Sequence, residues 1–205
     1  MSAAAPLELV VMARWPAPGR CKSRLAAGIG AGRAAAIQGR LIQHTLATAR
    51  LSRRRLGCRL VLAVQGLGPR ACRRWGAELG CDVAVPQGGG GLGTRLQRQL
   101  QRALAAGAGR VVLIGSDLPT LESADLEAAF AGLGPSGLVL GPAGDGGYWL
   151  IGLDHSRPAL LAGIPWGSGA VLECTLAVAR RLELSPVLLA VRHDLDRAAD
   201  LRPWR

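Results

Sequence analysis

The stretch Val111-Val112-Leu113-Ile114-Gly115-Ser116-Asp117-Leu118-Pro119 decides the fold that we predict. Four consecutive apolar residues, mostly β-branched, predict a strand buried on both faces, as in the centre of a parallel sheet. Pro119 cannot continue a strand ladder. Ligands of open α/β sheets bind beyond the carboxyl ends of the strands, where Asp117 is placed. Its carboxylate is expected either to hold a divalent metal ion or to cap the following helix, for which Thr120 and Ser123 are alternative caps.

Length and composition favour one globular α/β domain covering residues 1–205. Hydrophobic residues make up 49% of the 205-residue chain and charged residues 19%, which argues against a disordered protein. No apolar run has membrane-spanning length, and residues 1–6 lack the basic start of a signal peptide. Five scattered cysteines without a Cys-x-x-Cys pair are typical of reduced thiols. We therefore expect a cytoplasmic protein without a membrane span.

The formal net charge of +11 has two explanations. One is nucleic-acid binding, and the other is basic helix surfaces together with attraction for anionic phosphates. Aromatic residues make up only 3%, and the arginine runs at 53–55 and 180–181 lie in separate segments. This pattern disfavours nucleic acid as a partner. Lys22 is the only lysine, which indicates a position that needs a compact ammonium charge.

A basic loop follows the first predicted strand, Leu7–Ala13. Residues 14–25 contain two prolines, which exclude a helix there, and four cationic side chains. Such a loop offers positive charge and backbone N–H groups together, which suits a nucleotide diphosphate or triphosphate. The alternative is an ordinary solvated basic turn. The spacing matches neither a Walker A motif nor Gly-x-Gly-x-x-Gly.

The remaining segments alternate between predicted helices and strands, as in a sheet covered by helices on both faces. Helices are predicted over residues 31–52, 69–79, 122–133, 169–182 and 197–202, and another runs from the end of the glycine run 88–93 to about residue 106. Further strands are predicted over residues 59–64, 82–85, 138–140 and 186–191. The glycine run resembles a loop of sugar nucleotidyltransferases, but it follows the third strand here. Arg95 is expected either to reach a phosphate or carboxylate, or simply to begin the helix.

Two further groups of residues are candidates for the same rim of the sheet. Asp145 lies in the glycine-rich stretch 141–153, which is expected to form a tight hairpin turn or to press a ligand against backbone. Asp194 and Asp196 follow the last strand and are candidates for a second metal ligand, with a helix N-cap as the alternative. Trp166 is a candidate wall of an acceptor pocket, with simple packing as the alternative.

Five blocks, in order, resemble a known family over residues 7–201. They are Met12-Ala13-Arg14-x-Pro-x-x-Gly19-x-x-Lys22-Ser23-Arg24-Leu25, Gly115-Ser116-Asp117-x-Pro119, Gly141-Pro142-Ala143-x-Asp145-Gly146-Gly147-Tyr148-x-Leu150-Ile151-Gly152-Leu153, Trp166-Gly167-Ser168 and Asp194-x-Asp196. The chain resembles the small bacterial DUF2064 glycosyltransferases, linked with radical-SAM proteins and arsenosugar biosynthesis. The resemblance implies a single-domain Rossmann-like GT-A fold with a mostly parallel central sheet. Most glycosyltransferases of this fold carry Asp-x-Asp, whereas Asp117 here is followed by Leu-Pro.

The resemblance implies a glycosyltransferase that moves a sugar from a nucleotide-diphosphate donor to a small acceptor, assisted by Mg²⁺ or Mn²⁺. Its expected site residues are as follows: Ala13, Arg14, Gly19, Lys22, Arg24 and Gly115 bind the nucleotide and its phosphates; Asp117 and Asp196 bind the metal; Asp145 acts as base or positioner; and Gly146, Gly147, Tyr148 and Trp166 line the sugar or acceptor pocket. The same blocks are also similar to small nucleotidyltransferases, such as phospholactate guanylyltransferase and the molybdenum-cofactor enzymes. The alternative activity is therefore transfer from a nucleoside triphosphate to a small phosphorylated substrate, with release of pyrophosphate.

Overall fold

A seven-stranded sheet forms the centre of the computed structural model, which describes residues 5–204. Its strand order is β3-β2-β1-β4-β6-β5-β7. All neighbouring pairs are parallel except those that involve β6, which runs antiparallel to β4 and β5. The strands are β1 (Leu7–Arg14), β2 (Arg59–Gln65), β3 (Val83–Pro86), β4 (Arg110–Ile114), β5 (Leu138–Pro142), β6 (Tyr148–Leu153) and β7 (Val187–Leu188). The prediction of a mostly parallel sheet is confirmed.

Helices lie on both faces of this sheet, also as predicted. They are α1 (Ser23–Ile29), α2 (Ala31–Leu56), α3 (Pro69–Glu78), α4 (Leu92–Ala105), α5 (Ser123–Ser136) and α6 (Val171–Arg181), with 3₁₀ helices over Pro158–Leu160 and Ala198–Trp204. Within residues 5–204, no helix combines the length and the apolar composition that crossing a membrane requires.

The core has two parts because successive side chains of a strand point to opposite faces. From β1, Leu9 and Val11 join a cluster with residues of α2, α3 and α5. Val10 joins a second cluster on the other face, together with residues of α4 and α6. The four apolar residues 111–114 of β4 are all fully buried between these layers. The central position predicted for this strand is correct.

Three local predictions were wrong. A helix was excluded over residues 14–25, but α1 begins at Ser23, because Pro16 and Pro18 restrict only the backbone near them. The last strand, predicted over 186–191, pairs with the sheet only at Val187–Leu188, with an isolated bridge from Ala143 to Arg192 beyond it. Helix α5 is capped by Glu122, in a reciprocal capping box with Asp125, and not by Asp117, Thr120 or Ser123. Glu122 lies directly at the helix start and can exchange bonds with the third helical residue. This leaves the Asp117 carboxylate free for other contacts.

Candidate functional site

A cavity of about 500 Å³ opens at the carboxyl ends of strands β1 to β4. This is the rim where an open α/β sheet binds its ligands. Its wall includes most of the predicted site residues, namely Ala13, Arg14, Lys22, Arg24, Gly115, Asp117, Tyr148 and Asp196. Gly19, Asp145, Gly146, Gly147 and Trp166 do not line it.

Lys22 lies at the acidic end of this cavity, between two carboxylates. Its Nζ atom is 3.0 Å from Asp117 Oδ1 and 2.9 Å from Asp196 Oδ1. A third contact, 2.6 Å long, goes to the carbonyl oxygen of Leu195. The pKa of Lys22 is raised: burial opposes its charge, but the two neighbouring carboxylates outweigh burial. The ammonium group is therefore held in its charged form.

The backbone at Lys22 has the left-handed conformation, with φ 49° and ψ 49°. A non-glycine residue rarely adopts this conformation, and it persists only where the surroundings enforce it. Here it precedes helix α1 and accompanies a side chain that is only 2% exposed. The ion pairs and burial of the side chain fix this unusual turn in the basic loop.

The C-terminal segment brings the second and third acids to the site. Leu195 is buried in a small apolar cluster with Leu25 of α1 and Leu41 of α2. Its backbone N–H donates to the carbonyl oxygen of Asp117 at 2.9 Å. Asp200 accepts bonds from the backbone N–H groups of residues 196 and 197 and so orders the turn after Asp196. The carboxylate of Asp196 therefore does not cap the short helix.

Asp194 is the third acid, and it has no hydrogen-bond or ion-pair partner among residues 5–204. Burial raises the pKa of Asp194 to about 7, and the negative charges of Asp117 and Asp196 add to this effect. Lys22 opposes the shift, and the charge of Asp145 contributes less. Two carboxylates thus share one ammonium group and the third has no partner among the described residues, which leaves an excess of negative charge at this end of the cavity.

The chemistry of these donors fits a divalent cation. Within residues 5–204, no group of three or more His, Cys, Asp or Glu side chains could hold a metal by itself. Mg²⁺, however, usually binds through one or two carboxylates together with water and substrate phosphates. Asp117 and the unpartnered Asp194 both face the cavity and would supply those oxygen ligands. Asp196 also lines the cavity, and in both Asp117 and Asp196 it is the Oδ1 atom that contacts Lys22.

The opposite end of the cavity is cationic. Arg14 donates to Gln65 Oε1 at 3.1 Å, and Arg95 donates to Gln87 Oε1 at 3.0 Å. Neither arginine pairs with a carboxylate among the described residues. Burial lowers the pKa of Arg95, and the positive charge of Arg14 lowers it further. Two guanidinium groups that face a cavity without a counterion form a site for an anion.

Gln87 fixes the backbone and the arginine side chain at the cationic end of the cavity. It is almost fully buried, and its amide nitrogen donates to the carbonyl oxygens of Ala13 and Ala63 at 3.0 Å each. It therefore joins the ends of β1, β2 and β3 while its oxygen orients Arg95.

At the acidic end of the cavity, Gln38 of α2 donates to Asp117 Oδ1 and to Ser116 Oγ, both at 3.2 Å. Sequence analysis missed Gln38, Gln65 and Gln87, because isolated glutamines form no recognisable motif.

The glycine-rich stretch forms the β5–β6 hairpin, which was one of its two predicted structures. Asp145 is exposed at the turn, where its Oδ1 accepts from the N–H of Gly147 at 3.0 Å. Gly146 has φ +86° and lies against the backbone of Gly169. Trp166 packs edge-to-face on Tyr148, with ring centroids 5.8 Å apart. Trp166 thus supports Tyr148 in the cavity wall, and Asp145 lies outside the wall but close enough for its charge to act on Asp194.

Comparisons with known proteins give the same fold. A protein of Desulfovibrio desulfuricans G20, provisionally assigned as a nucleotide-diphospho-sugar transferase, is 30% identical to this chain, with a TM-score of 0.83 over 97% of this chain and 85% of the other. Glucosyl-3-phosphoglycerate synthase of Mycobacterium tuberculosis, solved with Mn²⁺, UDP and glucosyl-3-phosphoglycerate, is 16% identical, with a TM-score of 0.57 over 96% and 74% of the chains. The 4-diphosphocytidyl-2C-methyl-D-erythritol synthase of Anaerococcus prevotii is 8% identical, with a TM-score of 0.61 over 96% and 95%. No curated protein matches the chain.

Together, the Rossmann-like GT-A sheet and the cavity at its carboxyl rim define the chain as an enzyme of the transferase class. A sequence profile described as an uncharacterized protein conserved in bacteria, DUF2064, matches residues 48–168, which is more than half of the chain. The chain belongs to the DUF2064 family, as its motifs predicted. The basic loop and the C-terminal acids lie outside the matched residues, and the fold brings both to the cavity.

Proposed function

We propose that the protein transfers a sugar from a nucleotide-diphosphate donor to a small acceptor. The observation that carries this proposal is the polarity of the cavity. Unpaired arginines lie at one end, and an excess of carboxylates lies at the other. A nucleotide diphosphate is an anion that a protein commonly binds through cationic side chains and a carboxylate-held cation together. One cavity here offers the cationic side chains together with carboxylates that would hold such a cation.

In this proposal the arginine end receives the nucleotide part of the donor. The oxygen atoms of Gln65 and Gln87 already accept from Arg14 and Arg95, so the groups left over at this end are mainly N–H donors. Donors of this kind suit phosphate and carbonyl oxygens. Arg24, which is exposed at the cavity wall, supplies a further guanidinium group. The backbone of Ala13 and Gly115 completes the nucleotide-binding surface that we assign, whereas Gly19, which does not line the cavity, is left out of it.

We assign the bond that breaks, between the sugar and the diphosphate of the donor, to the acidic end of the cavity. Asp117 and Asp194 would hold Mg²⁺ or Mn²⁺, with Asp196 as the alternative ligand. Such a cation neutralises the negative charge of a leaving diphosphate. Arg14 and Arg24 would share that charge by donating hydrogen bonds to the diphosphate oxygens.

The acceptor is assigned to the side of the cavity formed by the β5–β6 hairpin. Tyr148 offers an aromatic wall, which Trp166 supports, and sugar rings commonly pack on such walls. Gly146 and Gly147 form the turn beside it. We assign Asp145 to the acceptor hydroxyl, as base or positioner, because it is an exposed carboxylate at the cavity margin.

A second candidate is nucleotidyl transfer from a nucleoside triphosphate. The unpaired arginines favour it, because a triphosphate carries more charge for them to neutralise. The two reactions differ in their products. Sugar transfer from the donor releases a nucleoside diphosphate, whereas nucleotidyl transfer releases pyrophosphate.

The experiment that tests the proposal uses those products. The purified protein is incubated with a panel of nucleotide sugars and of nucleoside triphosphates, each with Mg²⁺ or Mn²⁺ and a mixture of small hydroxyl and phosphorylated acceptors. We expect nucleoside diphosphate from one nucleotide sugar, released about a hundredfold more slowly, or slower still, by Asp117→Asn. Pyrophosphate released from a triphosphate, without turnover of any nucleotide sugar, would replace sugar transfer by nucleotidyl transfer.

A further inference from the structure

The ammonium group of Lys22 has no donor left for a ligand. It has three N–H bonds, and three protein oxygens lie within 2.6–3.0 Å of Nζ. These oxygens belong to Leu195, Asp196 and Asp117. The side chain is 2% exposed, whereas those of Asp117 and Asp196 are 38% and 39% exposed. Of the groups at this part of the cavity wall, the carboxylates are therefore the accessible ones, whereas the lysine side chain is covered.

The three acceptors come from two distant parts of the chain. Asp117 follows β4, whereas Leu195 and Asp196 belong to the C-terminal segment, 173 residues or more from Lys22 in sequence. Other contacts also hold this segment: the Leu195 N–H donates to the Asp117 carbonyl, and the side chains of Leu195 and Leu201 pack in the apolar cluster around Leu25. Among the described contacts of this segment, Lys22 is the one that also fixes carboxylates at the cavity.

We infer that Lys22 is a positioning residue, which holds the carboxylates of Asp117 and Asp196 in place and fastens the C-terminal segment, residues 193–201, beside the cavity. This inference rests on the proposed function and deepens it, and it replaces the phosphate contact that the family resemblance implied for Lys22. We assign the contact with donor phosphates to Arg14 and Arg24, which line the cavity and pair with no carboxylate among the described residues; Arg14 donates only to Gln65 Oε1 and, at 3.4 Å, to the carbonyl oxygen of Arg20. Arginine would not substitute for Lys22, because a planar fork cannot direct its N–H groups at three oxygens around one point.

The first test separates positioning from phosphate binding. Calorimetry in EDTA measures the binding of UDP, GDP, ADP, CDP and dTDP to the wild type, to Lys22→Met and to Arg24→Met. For the nucleotide that the wild type binds best, we expect Lys22→Met to stay within about threefold of the wild-type Kd, and Arg24→Met to weaken binding about tenfold or more. A loss in Lys22→Met as large as that in Arg24→Met would overturn the inference.

The second test needs no nucleotide and so stands apart from the proposed function. Hydrogen exchange followed by mass spectrometry compares residues 193–201 in the wild type, Lys22→Met, Lys22→Arg and Arg24→Met. We expect exchange about tenfold faster or more in both Lys22 variants and no change in Arg24→Met. Should Lys22→Met fail to fold, Asp196→Ala removes the same ion pair from its exposed side and is expected to accelerate exchange in the same residues. Unchanged exchange would contradict the positioning role, whereas failure of every nucleotide to bind the wild type would contradict only the proposed function.

Discussion

Replacing Asp117 with asparagine removes a charge from the cavity and leaves the shape of the side chain intact. The amide oxygen can still accept from Gln38 and Lys22, which contact Oδ1 at 3.2 and 3.0 Å. Lys22 also keeps Asp196 as a partner. The substitution therefore tests the charge of Asp117 alone, with little change in packing.

Two opposing effects set the change in the free energy of unfolding. The variant loses the attraction between Asp117 and Lys22, which for a partner that is 38% exposed is worth about 1 kcal/mol. It also relieves the repulsion between Asp117 and Asp194, which adds to burial in raising the pKa of Asp194, and this effect has the opposite sign. We expect a net change within about 1 kcal/mol, which shifts Tm by no more than about 2–4 °C in a chain of this length.

Turnover is expected to respond far more strongly. Loss of a carboxylate that holds the cation should lower kcat by about a hundredfold or more. Release of nucleoside diphosphate measures activity, and differential scanning calorimetry measures Tm. Glu127→Gln is the matched control, because it removes a carboxylate from a surface ion pair with Arg55 outside the cavity, and its activity should equal that of the wild type. Full activity in Asp117→Asn would refute the assignment of Asp117, and a large loss of Tm would refute the charge balance.

Three further predictions concern other parts of the molecule. Gly146→Ala should lower the free energy of unfolding by about 2–4 kcal/mol, because the residue has φ +86° and an added Cβ would overlap the Gly169 carbonyl oxygen. Denaturant titration measures this loss, and an unchanged midpoint would contradict the prediction. Burial raises the pKa of the Cys58 and Cys81 thiols to about 11, so at about pH 8 only about one thiol in a thousand is ionised. Iodoacetamide should therefore label both cysteines at least tenfold more slowly than free cysteine. Equal labelling rates, measured by mass spectrometry, would contradict the raised pKa values. Arg95→Met should weaken binding of nucleoside diphosphate about tenfold in calorimetry, and unaltered affinity would remove Arg95 from the nucleotide site.

The layout of the sheet was predictable because its signals are local. The run 111–114 is apolar on both faces, and the structure buries it completely between two helix layers. The ends of the sheet were less predictable. Residues 186–191 are as apolar as a strand, yet only Val187 and Leu188 pair with β5, and Val191 is exposed. Apolar composition alone does not determine how many residues of an edge segment find a partner.

The site was predictable as a set of segments but not as a set of contacts. Glycine, aspartate and basic motifs predicted which loops reach the rim, and the structure brings Lys22 and Asp117 together there. The N–H groups of Lys22 are all directed at protein oxygens, and part of this set belongs to a segment more than 170 residues away in sequence. No local sequence pattern could therefore indicate these contacts. The roles of Gln65 and Gln87 likewise depend on which strands are neighbours in the sheet.

The most direct measurement for the whole account is a thermal-shift screen of nucleotides with the wild-type protein, with and without Mg²⁺ or Mn²⁺. A ligand that binds only the folded state raises Tm in proportion to the logarithm of its concentration over Kd. We predict that one nucleoside diphosphate or nucleotide sugar raises Tm, that a divalent cation increases the shift, and that Asp117→Asn removes the increase caused by the cation. If no nucleotide changes Tm at millimolar concentration, with or without the cation, the cavity is not a nucleotide site and the proposed function is wrong.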